Sequence, residues 1–306
     1  MVMSISHYIK EIGRGKEGAR HLSREHAADL FGQLIDGSVT DLEVGAFCLA
    51  MRIKGETAEE MAGFLDATQQ RLHAIPTHGC PTVVLSSYNG ARRLPVLTPL
   101  LALLLARQGL AVVVHGSATE DARVSSQNVL LALDIPAKTA ITNIASGGVQ
   151  FVPTALLSPG LAHLLDVRRV IGLRNSAHSL VKLMNPCDGP VVIVGSYTHP
   201  EYAVSMTATL KLTQATALLL RGTEGEPVAD PRRTPAMDAI FQGECLRVQE
   251  PQTGSLAQLP QLPDLDAAST ARWTREVLDG NLPVPPPIAQ QVAHIVHLSA
   301  QMRTTP

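Results

Sequence analysis

The chain has 306 residues, of which 45% are hydrophobic and only 3% are aromatic, and its formal net charge at pH 7 is −2. This length is enough for two domains, or for one large α/β domain with a helical cap. The nearly neutral balance argues against a protein that binds nucleic acid through its overall charge, although it leaves room for a local basic surface.

The cysteines and the apolar runs indicate the cellular compartment of the protein. The four cysteines form no C-x-x-C pair, which predicts reduced, structural thiols. The longest mostly apolar run, from Val96 to Ala106, is too short to span a bilayer, and the amino terminus lacks a basic-then-apolar signal pattern. We therefore expect a cytoplasmic protein with no membrane partner.

Residues 1–75 are predicted to form a small helical domain. Ser23 is placed to cap a helix that ends at Gly37. Two capping boxes follow, TDLE from Thr40 and TAEE from Thr57, and each predicts the start of a further helix. The last of these helices is expected to run to about Leu72.

Residues 76–306 are predicted to form a large α/β domain, in which strands and helices alternate. The strands TVVL and LAVVVHG are each followed by a helix, and VQFVP, PVVIVGS and ATALLLRG predict three later strands. Thr98 is the expected cap of the first helix, with Pro99 in its first turn. This alternation predicts a mostly parallel, buried sheet, so the fold class is α/β with a small all-α domain. The stretch from Pro251 to Asp266 is predicted to be irregular.

Basic side chains recur near the ends of the predicted strands. The loop SSYNGARRLPVLTP joins the first strand to the following helix, and such loops often hold phosphates. Paired acids are scarce by comparison, and no nucleophile lies beside a base. This pattern favours anion binding over bond-breaking, but it does not distinguish a nucleotide from a nucleic-acid backbone. The basic residues concerned are Arg92, Arg93, Arg123, Arg168, Arg169, Arg174 and Lys182.

Several segments resemble the anthranilate phosphoribosyltransferases, which are TrpD-like members of glycosyl transferase family 3. The segments are GSVTDLEVGAFCLAMRIKGETAEEMAGFLDA, VHGSATEDARVSSQNVLLALDI, GLRNSAHSLVKLMNP and RGTEGE, and the resemblance spans roughly residues 5–300. It implies a nucleoside phosphorylase/phosphoribosyltransferase-like fold. It also implies that helices near residues 160–185 pack with the helical domain, and that this domain forms a homodimer.

The chain departs from those enzymes where they bind phosphoribosyl pyrophosphate and Mg²⁺. Their glycine-rich GTGGDG and the following NIST align with LSSYNG and PVLT, so only Gly90 and Thr98 remain. Their metal-binding Asp-Glu pair aligns with Pro227 and Val228, and Glu226, one position earlier, would be a strained substitute. Ordinary transferase activity is therefore not expected. The resemblance leaves a degenerate pocket of Asn89, Gly90, Thr98, His115, Gly116, Ser125, Asn175 and His178.

The strings IKEIGRGK, SYNGAR, VVVHG, RNSAHSLVKL, HPEY and GTEGE are more similar to the YbiB-type branch of that family. Its members are homodimers that bind DNA with little sequence preference through basic grooves. The resemblance therefore implies a catalytically silent homodimer that binds DNA, or RNA, and needs no cofactor. The seven basic residues named above would contact phosphates, and the helix that starts at Asn175–Ser176 would offer them free N–H groups.

An alternative function stays open at this point. The chain could be a phosphoribosyltransferase that uses phosphoribosyl pyrophosphate with an altered acceptor. Arg92, Arg93 and Arg123 would then replace the glycine amides and the metal as phosphate ligands. Only in this alternative is Mg²⁺ expected as a cofactor.

Overall fold

The computed structural model describes residues 4–118, 120, 122–255 and 259–304. They form two compact units. The first unit comprises Met1–His73 and Thr154–Pro186, and the second comprises Ala74–Pro153 and Cys187–Pro306. Each unit therefore draws on two separate stretches of the chain.

The first unit contains α1–α5 and α8–α10, and the second unit contains the strands and the remaining helices. The helices are α1 (Ser6–Ile12), α2 (Gly15–Gly18), α3 (Arg24–Ile35), α4 (Asp41–Lys54), α5 (Ala58–Gln69), α6 (Thr98–Arg107), α7 (Ser126–Ala132), α8 (Thr154–Leu157), α9 (Pro159–Ile171), α10 (Ala177–Leu180), α11 (Pro200–Leu212), α12 (Ala267–Leu278) and α13 (Pro286–Thr304). The strands are β1 (Thr82–Ser87), β2 (Ala111–Gly116), β3 (Val149–Pro153), β4 (Val191–Tyr197), β5 (Ala217–Arg221), β6 (Met237–Phe241) and β7 (Glu244–Gln249).

The helices of the first unit begin where the sequence predicts. The hydroxyl of Ser23 accepts a backbone N–H of the first turn of α3 at 3.2 Å. Complete capping boxes start α4 at Thr40 and α5 at Thr57. α5 ends at Gln69 rather than near Leu72, a difference of the size by which last turns fray.

Three phenylalanines join the long helices of this unit. Phe31 of α3, Phe47 of α4 and Phe64 of α5 are all fully buried. The rings of Phe31 and Phe64 are stacked with centroids 4.7 Å apart, and Phe47 meets both of them edge-on. Aromatic pairs in these geometries add stabilisation beyond the area that they bury. The three helices therefore pack around one aromatic centre.

The second unit is built on a seven-stranded sheet with the order β3-β2-β1-β4-β5-β6-β7. The five strands predicted from the sequence are β1 to β5, and they pair with one another in parallel. Helices α6 and α13 contact β1, and α11 contacts β4, β5 and β6. The expected α/β class, with a mostly parallel sheet flanked by helices, is confirmed. Because parallel strands end at one edge of the sheet, the loops that follow β1, β2 and β5 lie at the same edge.

The sequence pattern gives no indication of the hairpin formed by β6 and β7, which extends the sheet with antiparallel strands. Its two turn residues, Gln242 and Gly243, have φ values of +50° and +75°. Two positive φ angles are typical of two-residue hairpin turns, but Asn-Gly would be the stronger sequence signal. β7 is an edge strand with exposed side chains, so it lacks the continuous apolar run that marks a buried strand.

The predicted cap of α6 is wrong. The helix begins at Thr98 itself, and Leu97 holds the cap position without a side-chain hydrogen bond. The hydroxyl of Thr98 donates to the carboxylate of Glu226 at 3.0 Å instead. The chain enters the helix one residue early, which leaves this hydroxyl for a charge-assisted hydrogen bond, the stronger kind.

Among the described residues, no helix is both long enough and apolar enough to cross a membrane. All four cysteines are free thiols. Burial raises the pKa of Cys48 to about 11 and that of Cys187 to about 12. Because the thiolate is the reactive form, these two cysteines are chemically inert near neutral pH.

Candidate anion-binding site

The loop that follows β1 holds a carboxylate from a distant part of the chain. The N–H groups of Asn89 and Gly90 donate to Oε1 of Glu226 at 2.8 and 3.0 Å. The hydroxyls of Ser87 and Thr98 donate to Oε2 of the same carboxylate at 2.6 and 3.0 Å. Both oxygens of Glu226 are therefore bound by groups at the carboxyl end of β1 and the start of α6.

A fifth group comes from the start of α7. The hydroxyl of Ser126 donates to Glu226 Oε2 at 3.4 Å, and it lies 2.7 Å from the hydroxyl oxygen of Ser87. Three separate segments therefore converge on one side chain. We use the name donor shell for the five residues around this carboxylate, which are Ser87, Asn89, Gly90, Thr98 and Ser126.

The charge of Glu226 is met by dipoles rather than by a cation. Glu226 is 2% exposed. Within the described part of the chain it makes no ion pair with any Lys, Arg or His. A buried carboxylate is costly unless hydrogen bonds satisfy it, and the donor shell supplies such bonds. The arrangement is that of an anion-binding site whose anion belongs to the protein itself.

A second carboxylate fastens the same loop. Glu224 accepts the N–H of Arg92 at 2.6 Å and the N–H of Arg93 at 2.8 Å. Its own backbone has φ +54°, in the left-handed region that non-glycine residues adopt at a cost of about 1 kcal/mol. The two charge-assisted hydrogen bonds help to offset this cost. We call residues 223–226, which carry both carboxylates, the acidic turn.

Two glycines allow these loops to approach each other. Gly90 has φ +67°, and a Cβ there would lie 2.7 Å from the carbonyl oxygen of Val124. Gly225 has φ +90°, and a Cβ there would lie 2.6 Å from Nδ2 of Asn89. That amide nitrogen donates to the carbonyl oxygen of Gly225 at 2.8 Å. A larger side chain at Gly225 would hold the acidic turn away from Asn89, and one at Gly90 would push the loop away from Val124.

The backbone amides of Arg92 and Arg93 are used, but their side chains point to solvent. Both residues are exposed. Neither guanidinium makes a hydrogen bond or ion pair within the described residues. Arg123 differs, because its guanidinium pairs with Glu120 at 2.6 Å and donates to the carbonyl oxygen of Asn89 at 3.2 Å. Arg92 and Arg93 are thus the two predicted phosphate-binding residues that this loop presents outward.

His115 and Gly116 lie at the end of β2, beside the donor shell. His115 is fully buried, its Nδ1 is 2.9 Å from the hydroxyl of Tyr88, and its Nε2 has no partner in the described part of the chain. Burial lowers its pKa to about 3. A Cβ at Gly116 would lie 1.9 Å from the carbonyl oxygen of Ser87, so only glycine fits between the two strands. Both residues serve the packing of the sheet edge.

The other predicted basic residues belong to the helical unit. Arg168 and Arg169 are in the last turn of α9, and Arg174 and Lys182 flank α10. Arg169 is exposed and pairs with Asp166 at 3.3 Å, whereas the other three are half-buried.

His178 stands among these cations. Burial lowers its pKa to about 4, and the charges of Arg174, Arg168 and Lys182 contribute to the lowering. Its Nε2 is buried without a hydrogen-bond partner among the described residues. The unit therefore contains a positively charged cluster around a histidine that is neutral at physiological pH.

The expectation of free N–H groups at Asn175–Ser176 is wrong. α10 has only four residues, and its first amides are already used. The N–H of Ala177 donates to Oδ1 of Asn175, that of His178 to the carbonyl oxygen of Asn175, and that of Ser179 to the carbonyl oxygen of Ser176. A helix of one turn satisfies these three amides by local hydrogen bonds, so they are not available to a phosphate.

The predicted pocket residues are divided between the two units. Asn89, Gly90 and Thr98 belong to the donor shell, whereas Asn175 and His178 lie in the helical unit. The hydroxyl of Ser125 accepts the N–H of Asn128 at 3.2 Å and so caps α7.

The sequence did not single out Ser87, nor the partnership of Glu226 with the loop after β1. A hydroxyl at the end of a strand and an acid in a glycine-rich turn are ordinary features until the fold joins them. Two carboxylates in the glycine-rich segment GTEGE are a sequence pattern that fits a simple turn as well as a binding site.

The residues at the expected metal position do not fit Mg²⁺. Pro227 and Val228 have no side-chain oxygen, and Val228 is buried in the core under the sheet. The carboxylates of Glu224 and Glu226 already accept N–H and O–H groups. Among the described residues, no group of three or more His, Cys, Asp or Glu side chains is placed to hold a metal ion.

Comparison with known sequences identifies relatives that cover most of the chain. Residues 6–71 match the family described as "Glycosyl transferase family, helical bundle domain". The "Uncharacterized protein YbiB" of Escherichia coli is 38% identical in an alignment of 294 positions that covers 93% of this chain and 91% of that protein. An anthranilate phosphoribosyltransferase of Anaeromyxobacter dehalogenans is 28% identical over 90% of this chain and 83% of its own.

Solved structures have the same fold. The anthranilate phosphoribosyltransferase of Thermus thermophilus superposes with a TM-score of 0.77 at 20% identity, over 97% of this chain and 90% of that one. The enzyme from Saccharomyces cerevisiae in complex with PRPP and Mg gives a TM-score of 0.71 at 14% identity, over 98% of this chain and 91% of that one.

Proposed function

The chain belongs to the anthranilate phosphoribosyltransferase-like, TrpD-like glycosyl transferase family 3, and on that premise we propose that it is a catalytically degenerate member that binds DNA without sequence preference as a homodimer. The observation that carries this proposal is the position of Glu226. Its carboxylate fills the donor shell, while the guanidinium groups of Arg92 and Arg93 on the same loop face solvent.

Loss of the transferase reaction follows from that position. A loop after the first strand of an α/β sheet binds phosphate through its N–H groups and the hydroxyls beside it. Here those groups already bind the carboxylate of Glu226. A diphosphate would have to displace a buried anion with a full set of hydrogen bonds, and the two residues at the family's metal position, Pro227 and Val228, have no side-chain oxygen to hold a Mg²⁺ ion beside it.

Polyanion binding makes different demands, which the exposed arginines meet. An extended backbone of phosphates needs cations that reach outward, and guanidinium groups bind phosphate oxygens in a fork geometry. Arg92 and Arg93 provide this on the α/β unit, and Arg168, Arg169 and Arg174 provide positive charge on the helical unit. The net charge of −2 then matters less than these local patches.

An exposed apolar stripe on α4 supports the proposed homodimer. Leu42, Leu49 and Ile53 are 84%, 51% and 52% exposed, and their spacing of seven and four residues puts them on one face of the helix. Exposed apolar patches on helices commonly mark protein–protein contacts. A second copy of the chain would cover this face and would double the number of phosphate contacts along one duplex.

The alternative function is a phosphoribosyltransferase with an altered acceptor. The fold shared with an enzyme solved in complex with PRPP and Mg favours it. It would require Glu226 to leave the donor shell whenever substrate binds. Binding of phosphoribosyl pyrophosphate with Mg²⁺ by the wild-type protein would support this alternative against ours.

The proposal is tested by titrating labelled random-sequence DNA, single- and double-stranded, with the purified protein at about 50 mM and about 200 mM salt. We expect tight binding that falls steeply with salt. In the Arg92→Ala/Arg93→Ala variant, affinity should fall and the slope of log K against log salt should shrink by about 0.9 for each lost phosphate contact.

Arg272→Ala/Arg275→Ala is the matched control, because it removes the same charge from α12. Arg275 donates to the carbonyl oxygen of Ala132 at the far end of α7 from the donor shell. This variant should bind DNA nearly as the wild type does. If the wild-type protein does not bind DNA at the lower salt concentration, the proposed function is wrong.

A further inference from the structure

We propose that the edge of the sheet that carries Arg92 and Arg93 is a site for single-stranded DNA, in which the exposed rings of His199 and Tyr202 stack on unpaired bases. The inference rests on the proposed DNA binding and specifies the form of DNA that this edge accepts. It gives a role to the segment HPEY, residues 199–202, which we call the aromatic segment. Neither the donor shell nor the proposed phosphate contacts use it.

The aromatic segment lies at the same sheet edge as the two arginines. It follows β4, and β4 is parallel to both of its neighbours, β1 and β5. The loops after these three strands therefore meet at one edge. His199 is the cap residue of α11 and Tyr202 is in its first turn, where the N–H of Tyr202 donates to the carbonyl oxygen of His199 at 3.1 Å. Both rings are thus carried by the start of a 13-residue helix.

The acidic turn fastens the loop after β1 to the loop after β4. The carbonyl oxygen of Gly225 accepts the side-chain amide of Asn89 at 2.8 Å and the hydroxyl of Ser196 at 2.8 Å. Just before the turn, the N–H of Gly222 donates to the carbonyl oxygen of Tyr197 at 3.2 Å. The loop with the arginines and the loop with the rings are therefore held against one shared turn.

The rings of the aromatic segment are open to solvent. Every phenylalanine, tyrosine and tryptophan of the chain is among the described residues, and Tyr202, at 38%, is the only one of them that is exposed. His199 is also exposed. The two ring centroids are 6.4 Å apart and the planes are tilted by 50°, so neither ring covers the face of the other. An exposed aromatic face is the surface on which proteins stack nucleic-acid bases.

The charges of this edge separate the place for bases from the place for phosphates. The aromatic segment contains the exposed acid Glu201 and no Lys or Arg. Its carboxylate repels phosphate groups, whereas the uncharged bases are not repelled. The exposed cations of the edge are Arg92, Arg93 and Arg221, and Arg221 is the last residue of β5, next to β4. We therefore expect phosphates at the arginines and bases at the rings.

This division favours a single strand over a duplex. In a duplex the bases stack on one another and present only their edges, so a protein ring cannot reach their faces. In a single strand the faces are accessible, and a basic surface with aromatic side chains is the combination that binds it. Stacking also tolerates every base, because each base has a π-face, which agrees with binding that has no sequence preference.

The inference is tested by the ratio of single-strand affinity to duplex affinity. Labelled DNA of one length, in both forms, is titrated with the wild-type protein, His199→Ala/Tyr202→Leu and Tyr202→Phe at about 100 mM salt. In the double variant the ratio should fall at least about fivefold, through loss of single-strand affinity alone. Tyr202→Phe should keep the wild-type ratio, because phenylalanine retains the stacking face. An equal loss for both forms of DNA would overturn the inference.

The salt dependence and a control variant separate stacking from other effects. The double variant should keep the wild-type slope of log K against log salt, because stacking on a base releases no counterion, whereas Arg92→Ala/Arg93→Ala should lower the slope for both forms. Val204→Ala removes apolar surface that is 74% exposed, about 200° around α11 from Tyr202. This control should leave the ratio unchanged. A similar fall in the ratio for Val204→Ala would contradict a specific role of the rings.

A single strand without bases tests the inference on the wild-type protein alone. An oligonucleotide of abasic residues has the same phosphates as an ordinary strand but nothing to stack. We expect the wild type to bind it at least about fivefold more weakly than the ordinary strand. In the double variant this difference should shrink. Equal wild-type affinity for the two strands would overturn the inference, whether or not the variants fold.

The two proposals fail in different ways. If the wild type binds neither form of DNA at about 50 mM salt, the proposed function is wrong and the stacking site falls with it. If it binds duplex DNA with the expected salt dependence, and the ratio is the same in His199→Ala/Tyr202→Leu, only the stacking site is wrong.

Discussion

Glu226 accepts the backbone N–H of Gly90 at 3.0 Å, although the two residues are 136 positions apart in the chain. One comes from the loop after β5 and the other from the loop after β1, two strands with only β4 between them in the sheet. Through this contact, the N–H groups of the loop after β1 bind a carboxylate of the same protein.

Substitution of Gly90 should be far more damaging than substitution of a glycine with a similar φ in open space. Gly90→Ala puts a methyl group 2.7 Å from the carbonyl oxygen of Val124 at φ +67°. Gly109 has φ +80° and nothing within 4 Å of its Cβ position. We expect Gly109→Ala to cost about 1 kcal/mol and Gly90→Ala about 2–4 kcal/mol of unfolding free energy, measured by urea denaturation. Equal losses would contradict the steric argument.

Removal of Glu224 should weaken DNA binding, although the loss of a negative charge would by itself strengthen it. Loss of an acid beside Arg92 and Arg93 would by Coulomb's law strengthen binding to DNA. Glu224, however, holds the N–H groups of both arginines, so Glu224→Ala should loosen the loop and reduce affinity by roughly two- to tenfold. The measurement is a DNA titration at fixed salt.

Glu244→Ala is the control for that titration, since it removes an acid that holds no arginine amide. We expect its affinity to stay the same or to rise. A rise for Glu224→Ala as well would show that the hydrogen bonds to the loop do not matter for binding.

Stability should decline as the solution is acidified below pH 6.5. Burial lowers the pKa of His115 to about 3, and burial with nearby cations lowers that of His178 to about 4, from an ordinary value of 6.5. The unfolded chain therefore binds protons that the folded protein does not, and the stabilisation present above pH 6.5 is lost as the pH falls toward these values. Each histidine should contribute a slope of up to about 1.4 kcal/mol per pH unit between about pH 6 and pH 4.

Urea denaturation at half-unit pH steps measures this slope. His178→Gln should lower the slope of unfolding free energy against pH by the contribution of one histidine. This holds even if the substitution also changes the stability at neutral pH. The exposed His21→Gln is the matched control for the substitution. An unchanged slope in His178→Gln would show that this histidine does not remain neutral in the folded protein.

Removal of the cation from the buried ion pair in the helical unit should strongly lower the unfolding free energy. Lys54 Nζ lies 2.6 Å from Glu60 Oε2, and the two side chains are 2% and 0% exposed. Lys54→Met leaves a buried carboxylate without a cation, which should cost about 3–5 kcal/mol of unfolding free energy. The exposed Lys10→Met is the control, and Lys54→Met/Glu60→Leu should recover part of the loss. A cost equal to that of the control would contradict the role of the pair.

A charge in the apolar stripe of α4 should separate the proposed homodimer. Leu49→Glu places a carboxylate in the middle of Leu42, Leu49 and Ile53, so the mass measured by light scattering should fall from that of a dimer to that of a monomer. Leu246→Glu alters a leucine that is 68% exposed on β7, outside the helical unit, and should leave the mass unchanged. If the wild-type protein is monomeric, the proposed homodimer does not exist. If the Leu49→Glu variant stays dimeric, the interface lies elsewhere.

The elements that depend on local interactions could be predicted from the amino-acid pattern. Ser23, Thr40 and Thr57 cap their helices because capping is a matter of residues three positions apart. The strands β1 to β5 could be predicted because parallel, buried strands are short continuous apolar runs. The hairpin of β6 and β7 could not be predicted, because its edge strand is exposed and has no continuous apolar run. Its Gln-Gly turn is also a weaker hairpin signal than Asn-Gly.

The candidate site could not be predicted in this way, because it depends on contacts between distant segments. In the sequence, Thr98 has the pattern of a helix cap and Glu226 has the pattern of a turn residue or a poor metal ligand. Only the strand order, which sets the ends of β1 and β5 at one edge of the sheet, brings the Glu226 carboxylate to the hydroxyl of Thr98. The preference of a buried carboxylate for a full set of donors then outweighs the local preference of threonine for the cap. A contact that spans more than a hundred residues leaves no mark in the local pattern, because neither partner needs an unusual neighbour to take part in it.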